Sequence, residues 1–427
     1  MGFVVLGMFF VLFILGFPVV LAIVIPSVIY VIAMGVPIEL ISERIHYAIA
    51  SSYTLIAVPV FIFAGTLMNS SGVTARIFRF ADRAVGRMPG GLAQVNLFAN
   101  LIFSGMSGAA LADVGGLGQV MVKAMKERGF SAPYSAAVTI AGATVGPIFP
   151  PSIPLVIFGA VTGVSIVKLL LAGMVPAAVA TVMMMVAAGI LATVRKHPRA
   201  DHWPPFKELI RSFLAALPAL LAPVVLVGGM LSGFFTPTEA ASIALGYMVI
   251  VALLVYRELT WRHIWQAAVE TVKMSAAILV IVAAASLFGW ILAVQGIPHM
   301  LQHLLVSISR NPAILLLEAN VLLLIVGMFL DSTTATLLVI PMMMAPLVAA
   351  GINPVHFGLV AIFNLMIGLI TPPLGLSLFL VSNIAKTTIG SILSEVWPYL
   401  VTLVGTLIIV TYVPELSLWI PNMVVAR

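Results

Sequence analysis

A chain of 427 residues that is 62% apolar and only 8% charged, with a mean hydropathy of +1.21, has too little polar surface to clothe a water-soluble fold. It has no cysteine, which excludes disulfides and thiolate chemistry, and neither an HExxH nor a G-x-x-x-x-G-K-[ST] string, which argues against a zinc hydrolase and against direct use of ATP. The net charge of +6 is carried by lysines and arginines that border apolar runs, as the positive-inside rule expects, so it is not a nucleic-acid signal.

In chain order, segments 3–33 and 50–69 are apolar enough to cross a bilayer, for which about 20 residues are needed. No Lys or Arg precedes Arg44, and the first run outlasts a signal-peptide core, so it reads as a retained helix. Between 73 and 88, Arg76, Arg79, Arg83 and Arg87 recur at spacings of three and four. Val73, Ile77, Phe80, Ala81 and Val85 fill the other face, which predicts an amphipathic helix on the cytoplasmic membrane surface. The apolar stretch 89–122 starts after this basic cluster and ends at another, Lys123, Lys126 and Arg128. It is too long for one helix and is interrupted by Ser104-Gly105-Met106-Ser107-Gly108, so it reads as a re-entrant hairpin opening to the cytoplasm. Next comes a helix broken at Gly146-Pro147-Ile148-Phe149-Pro150-Pro151-Ser152.

Crossings at 169–194, 213–235, 238–256 and 272–294 alternate around two basic connections. Arg195, Lys196, Arg199, Lys207 and Arg211 mark the first, and Arg257, Arg262 and Lys273, beside an amphipathic stretch at 259–271, mark the second. A second hairpin at 311–350 has its polar break at Asp331-Ser332-Thr333-Thr334. A second broken helix follows at Gly368-Leu369-Ile370-Thr371-Pro372-Pro373, and the last helix covers 388–413. His299 and His303 stand four apart with no acid nearby and read as interfacial residues, not metal ligands.

The two halves repeat. At a shift of 222, Gly105 falls on Gly327, Met106 on Met328, Gly129 on Gly351, Gly146 on Gly368, Pro150-Pro151 on Pro372-Pro373, and Pro176 on Pro398. Upstream the shift is 224, with Gly65 on Gly289 and Gly72 on Gly296, and Gly16-Phe17-Pro18 answers more weakly to Phe235-Thr236-Pro237. An odd number of crossings separates the copies, so the second hairpin opens to the opposite side. The expected architecture is an all-α polytopic membrane protein of two inverted repeats, 1–213 and 214–427. Scaffold helices fill 1–88 and 214–294, hairpin and broken helix fill 89–168 and 311–385, and a connecting helix runs over 169–194. Inverted repeats with interrupted helices are the mark of secondary transporters.

Proline removes an amide donor and frees nearby carbonyls, which survive in a membrane only inside protein or beside a cavity. Carbonyls and hydroxyls together make a hard-oxygen cage for a small cation. One cation site is expected to join the first tip (Ser104, Gly105, Ser107) to the first break (Gly142, Thr144, Gly146). The other joins the second tip (Gly327, Asp331, Ser332, Thr333) to the second break (Gly368, Thr371). The substrate is expected between the tips, near Ser107, Ser152 and Asp331, with Asp113 as a further candidate. Asp113 and Asp331 each either cap the second half-helix of a hairpin or serve as ligands, and Asp331 is the better ligand candidate because three hydroxyl residues follow it. Glu239 reads as a first-turn helix acid, and Glu318 as an acid facing protein.

The strings FSGMSGAALADVGGLG (103–118), KAMKERGF (123–130), GPIFPPSIPLVIFG (146–159), GFFTPTEAAS (233–242), FLDSTTATLLVIP (329–341) and GLITPPLGL (368–376) resemble those of the large membrane subunit of TRAP (tripartite ATP-independent periplasmic) transporters. The resemblance covers essentially the whole chain. It implies an ion-transporter-superfamily fold with a scaffold and an elevator-like transport domain in the bacterial inner membrane. It further implies Na⁺ coupling, a small four-helix membrane subunit, and a periplasmic substrate-binding protein that delivers a carboxylate such as a dicarboxylate or sialic acid. A stand-alone carboxylate symporter or exchanger would share the hairpins and breaks. An intramembrane enzyme ranks low, because Asp82, Asp113, Asp201 and Asp331 include no close pair; the chain reads as a transporter and not an enzyme.

Overall fold

The computed structural model describes residues 1–50, 53–199, 203–309, 311–373 and 375–424; Asp201 lies outside them. No strand occurs among the described residues. The first copy runs through α1 (Gly2–Ile14), α2 (Val19–Ala33), α3 (Glu39–Ala50), α4 (Ala57–Ser70) and α5 (Val73–Val85). It continues into hairpin one, made of α6 (Leu92–Ser107), α7 (Ala110–Gly115) and α8 (Leu117–Glu127). The broken pair α9 (Ala132–Ala143) and α10 (Ile153–Thr162) follows, then the long α11 (Ile166–Arg195). The second copy runs α12 (Phe206–Leu231), α13 (Pro237–Ile250), α14 (Trp261–Val294) and α15 (Ile297–Ile308). Hairpin two is α16 (Pro312–Phe329), α17 (Ser332–Leu338) and α18 (Ile340–Ala349), followed by the broken pair α19 (Pro354–Gly368) and α20 (Leu376–Ala385), α21 (Ile389–Tyr412) and α22 (Glu415–Val424). Six helices are long and apolar enough to cross a membrane, up to eight if two bent pairs count as spans, among the described residues.

Matched local chemistry builds the matched copies. Gly129 and Gly351 both take positive φ, +88° and +85°, and each ends a hairpin. Ser131 and Asn353, again 222 apart, cap α9 and α19: Ser131 Oγ accepts from Tyr134 N–H and Asn353 Oδ1 from Val355 N–H. Gly72 and Gly296, at φ +70° and +71°, turn the chain into α5 and α15. Both Pro-Pro bonds, Pro150-Pro151 and Pro372-Pro373, are cis. Thr236 and Glu239 form a capping box at the start of α13, so Glu239 is the structural acid its spacing predicts.

The basic clusters meet at one end of the molecule. Arg76 pairs with Glu258 at 2.7 Å, Arg83 with Glu208 at 3.1 Å, Arg128 with Asp82 at 3.3 Å, and Arg195 with Glu395. Such exposed pairs add little stability, but they put residues 76–83, 128, 195, 208 and 258 on one face. Both ends of hairpin one lie there, since Gly91, Arg128 and Arg199 line one cavity. Hairpin two opens elsewhere. Glu395, near the start of α21, is held by Arg195, whereas Tyr412 at its other end donates to Ala313 O, at the mouth of hairpin two. Seventeen residues at 1.5 Å each separate the two contacts, about 25 Å along the helix axis. The hairpins therefore open to opposite sides.

Four sequence expectations change. Residue 213, the expected boundary, falls inside the continuous α12 and not in a connection. The amphipathic stretch 259–271 and the crossing 272–294 are one 34-residue helix, α14, because no proline or glycine interrupts its first half. Segment 3–33 is two helices, parted at Gly16-Phe17-Pro18. The apolar face of α5 (Val73, Ile77, Ala81) is buried against α6 and α12 and does not lie on lipid.

Candidate functional site

The tip of hairpin one folds onto the first break. Helix α6 ends at Gly108, whose φ of +65° turns the chain into α7. Gly108 O accepts from Ile153 N–H at 3.2 Å, and a methyl group at Gly108 would come within 2.6 Å of Pro151 O, so only glycine permits the contact. Within the break, Ser152 Oγ donates to Pro147 O and accepts from Leu155 N–H at 3.1 Å, which closes the loop and caps α10. Among the described residues, the carbonyls of Thr144 and Gly146 receive no hydrogen bond.

Asp113 is the charge at this junction. It stands inside α7, one turn from the tip, and so is not a cap. The residue is fully buried; one carboxylate oxygen accepts from Ser107 Oγ, while Oδ2 has no partner. Oδ2 points at the break, for a methyl group on Gly146 would lie 2.3 Å from it. An unpaired carboxylate oxygen buried among apolar helices costs several kcal/mol unless a cation or proton joins it. The unbonded carbonyls of the break it faces are hard-oxygen groups of the kind a small alkali cation takes. The orphaned Oδ2 fits that chemistry, and Asp113 with the carbonyls of Thr144 and Gly146 would be the residues to hold such a cation.

The other expected members of site one divide. Ser107 reaches the break through Asp113. Ser104 Oγ turns back to Asn100 O, and Thr144 Oγ1 is spent on Ala141 O at 2.7 Å. Gly105 faces Pro223 of α12 and Phe149, while Gly142 packs on Asn100.

In the second copy the hairpin and the break touch backbone to backbone. A methyl group on Gly368 would lie 2.4 Å from the carbonyl carbon of Gly327, and Gly375 N–H donates to Met328 O at 3.4 Å. Asp331 caps α17, accepting from Thr333 N–H at 2.9 Å and Thr334 N–H at 3.2 Å, as well as from Thr334 Oγ1. The hydroxyls of Ser332 and Thr333 make no hydrogen bond among the described residues. Thr371 Oγ1 donates to Ile367 O at 2.6 Å. Helices α10 and α17 pack together, so Ser152 and Asp331 begin neighbouring half-helices.

Comparison with known proteins gives this arrangement its family. Residues 6–416 match the model of the tripartite ATP-independent periplasmic transporter, DctM component. The chain is a DctM-family protein. The sialic acid TRAP transporter large permease protein of Vibrio cholerae is 41% identical over 375 residues, 87% of each chain. The C4-dicarboxylate TRAP transporter large permease protein of Pseudomonas aeruginosa is 36% identical over 87% of this chain and 86% of its own. In fold the chain is similar to the YdaH transporter of Alcanivorax borkumensis, with a TM-score of 0.56 and 16% identity over 90% of this chain and 89% of that one. As a DctM-family component it is a multi-pass protein of the bacterial inner membrane.

The DctM-family chain also carries buried amides that motif reading passes over. Asn96 Nδ2 donates to Thr139 Oγ1 at 2.8 Å and Asn100 Nδ2 to Asn96 Oδ1 at 2.7 Å, tying α6 to α9. In the second copy, Asn364 Nδ2 donates to Asn320 Oδ1 at 2.7 Å, and Asn320 Nδ2 to Thr411 Oγ1 at 3.0 Å. The Oδ1 atoms of Asn100 and Asn364 are buried without partners. The available signal was an asparagine inside an apolar hairpin arm, which must find a partner where no water reaches.

Proposed function

We propose that this chain catalyses no reaction and carries an organic acid inward, coupled to Na⁺, as the transporting component of a tripartite system. Sialic acid or a C4-dicarboxylate is the class of cargo, on the strength of relatives that carry those names. A periplasmic binding protein hands over the acid and a small membrane subunit braces the scaffold. The observation that carries the reading is the partnerless oxygen of Asp113, fully buried and aimed at a proline-broken backbone with free carbonyls.

The chemistry follows from that geometry. A first Na⁺ is held by Asp113, Thr144 and Gly146, which cancels the buried charge. A second lies between the Gly327–Gly368 contact and the hydroxyls of Ser332, Thr333 and Thr371; because Asp331 is engaged as a cap, carbonyls and hydroxyls supply most of its ligands. The acid sits between the tips, near Ser107, Ser152 and Asp331, where the positive end of the α10 dipole favours a carboxylate. Neutralising the tips with Na⁺ lets the two hairpin units cross as one body against α1–α5 and α12–α15, an elevator movement. The test is uptake of sialic acid and of succinate by proteoliposomes holding this chain, its small subunit and its binding protein. The reading expects uptake to stop when any component is omitted. Equal uptake without the binding protein would favour a stand-alone symporter instead.

A further inference from the structure

We propose that Arg44 marks an outer vestibule in which the carboxylate of the incoming acid is held before it reaches the hairpin tips; this rests on the reading of the chain as an acid transporter. Arg44 belongs to α3, which is tied to α14 by Ser286 Oγ donating to Arg44 O at 3.4 Å. Helix α14 starts at Trp261, beside the Arg76–Glu258 pair. Ser286 is twenty-five residues farther on, so Arg44 sits about 38 Å along that helix from the basic clusters, toward the outer end.

Its guanidinium is poised and unclaimed. The guanidinium carbon stands 5.5 Å from the centre of the Trp290 ring, and Nε is buried without a hydrogen-bond partner. Among the described residues no carboxylate forms an ion pair with it. A buried guanidinium nitrogen without a partner is costly until an acceptor meets it, and a planar fork of N–H donors matches a carboxylate. The Trp290 ring steadies the guanidinium through a cation–π contact.

Beside it is room for the ligand. Tyr47 and Ala48, three and four residues on and so on the same helix face, line a cavity of about 360 Å³ together with Gly289 of α14. That volume is in the range that holds a small organic molecule. The opposite wall is Val161, at the outer end of α10, and Leu337, at the outer end of α17. These two half-helices begin at Ser152 and Asp331, so the cavity lies between scaffold and hairpin units, directly outside the candidate site. The phosphate of a lipid headgroup offers similar chemistry, and the test separates the two sources.

The chain has no cysteine, so Ala48→Cys puts a single thiol in this cavity. Its reaction rates with anionic sulfonatoethyl and cationic aminoethyl methanethiosulfonate are measured in phosphatidylcholine vesicles, corrected for intrinsic reactivity. One cationic neighbour within several ångströms predicts a preference of about tenfold for the anionic reagent. Arg44→Gln should abolish that preference and Arg44→Lys should retain it. Millimolar succinate or N-acetylneuraminate should slow the reaction only when the positive charge is present. A preference that survives Arg44→Gln overturns the proposal. Loss of the preference on adding phosphatidylglycerol assigns Arg44 to lipid phosphate and overturns it as well. Wild-type uptake of acid with no charge preference at position 48 sinks the vestibule alone and leaves the transporter reading standing.

Discussion

Alanine at Gly146 tests the first cation site where it is tightest. The added methyl carbon would stand 2.3 Å from Oδ2 of Asp113 and 3.2 Å from Ala143 O, when ordinary contact begins near 3.4 Å. Gly146 does not occupy a left-handed conformation, so the backbone accepts alanine and the conflict falls on the carboxylate. Asp113 must swing away by about 1 Å, and overpacking of this kind costs about 1–3 kcal/mol. If that oxygen binds Na⁺, the loss appears as weaker binding, and at about 1.4 kcal/mol per factor of ten the half-saturating Na⁺ rises about 5- to 100-fold. Gly368→Ala is the contrast. There the methyl carbon meets backbone, 2.4 Å and 2.6 Å from atoms of Gly327 that cannot rotate aside. It should lower thermal stability before anything else. Na⁺ activation curves of uptake, taken beside thermal unfolding in detergent, separate the two effects. A Gly146→Ala protein with wild-type Na⁺ dependence would falsify the placement of a cation against Asp113.

Other consequences are as direct. In a chain without cysteine, Arg199→Cys and Val348→Cys should label from opposite sides of the membrane, and labelling from one side would contradict the inverted hairpins. Ser107→Ala removes the hydrogen bond to the Asp113 carboxylate, and Thr371→Ala removes a hydroxyl beside the second break. Each should raise the Na⁺ needed for half-maximal uptake several-fold in folded protein, and unchanged curves in both would reduce the breaks to kinks. His197, on the cytoplasmic connection, packs on Tyr134 with ring centres 4.4 Å apart; burial, with Arg195 nearby, holds its pKa below the ordinary 6.5. The unfolded chain then takes the proton first, so this packing contributes above about pH 6.5 and is lost as pH falls. Thermal stability should drop between about pH 7.5 and 5, less so in His197→Phe, and identical pH profiles would remove His197 from that account.

What could be read from the sequence, and what could not, divides along physical lines. The tips and breaks were legible because Gly, Ser and Pro interrupt apolar runs at a constant shift. Their orientation was legible because arginines and lysines gather on one side. The length of α14 was not, since its first half looks interfacial when read alone, though the same helix continues through the bilayer. In sequence Asp331, followed by three hydroxyl residues, is the better ligand candidate of the two tip aspartates, and in three dimensions the order reverses. Asp331 spends its oxygens on its own helix, while Asp113 leaves one free toward Gly146. Whether a carboxylate is satisfied depends on what packs against it, and residue spacing along one chain does not carry that. Gly105 makes the same point: its glycine answers to Pro223, more than a hundred residues away.

The central claim is that Na⁺, held where hairpin tips meet broken helices, drives the acid inward. Uptake by proteoliposomes carrying the three components, with Na⁺ outside and K⁺ inside and no nucleotide, measures it most directly. Each net positive charge that enters is worth about 2.3 kcal/mol per 100 mV, so uptake should require the inward Na⁺ gradient, rise with an inside-negative potential, and ignore ATP. Undiminished uptake with K⁺ replacing Na⁺ on both sides would contradict the account.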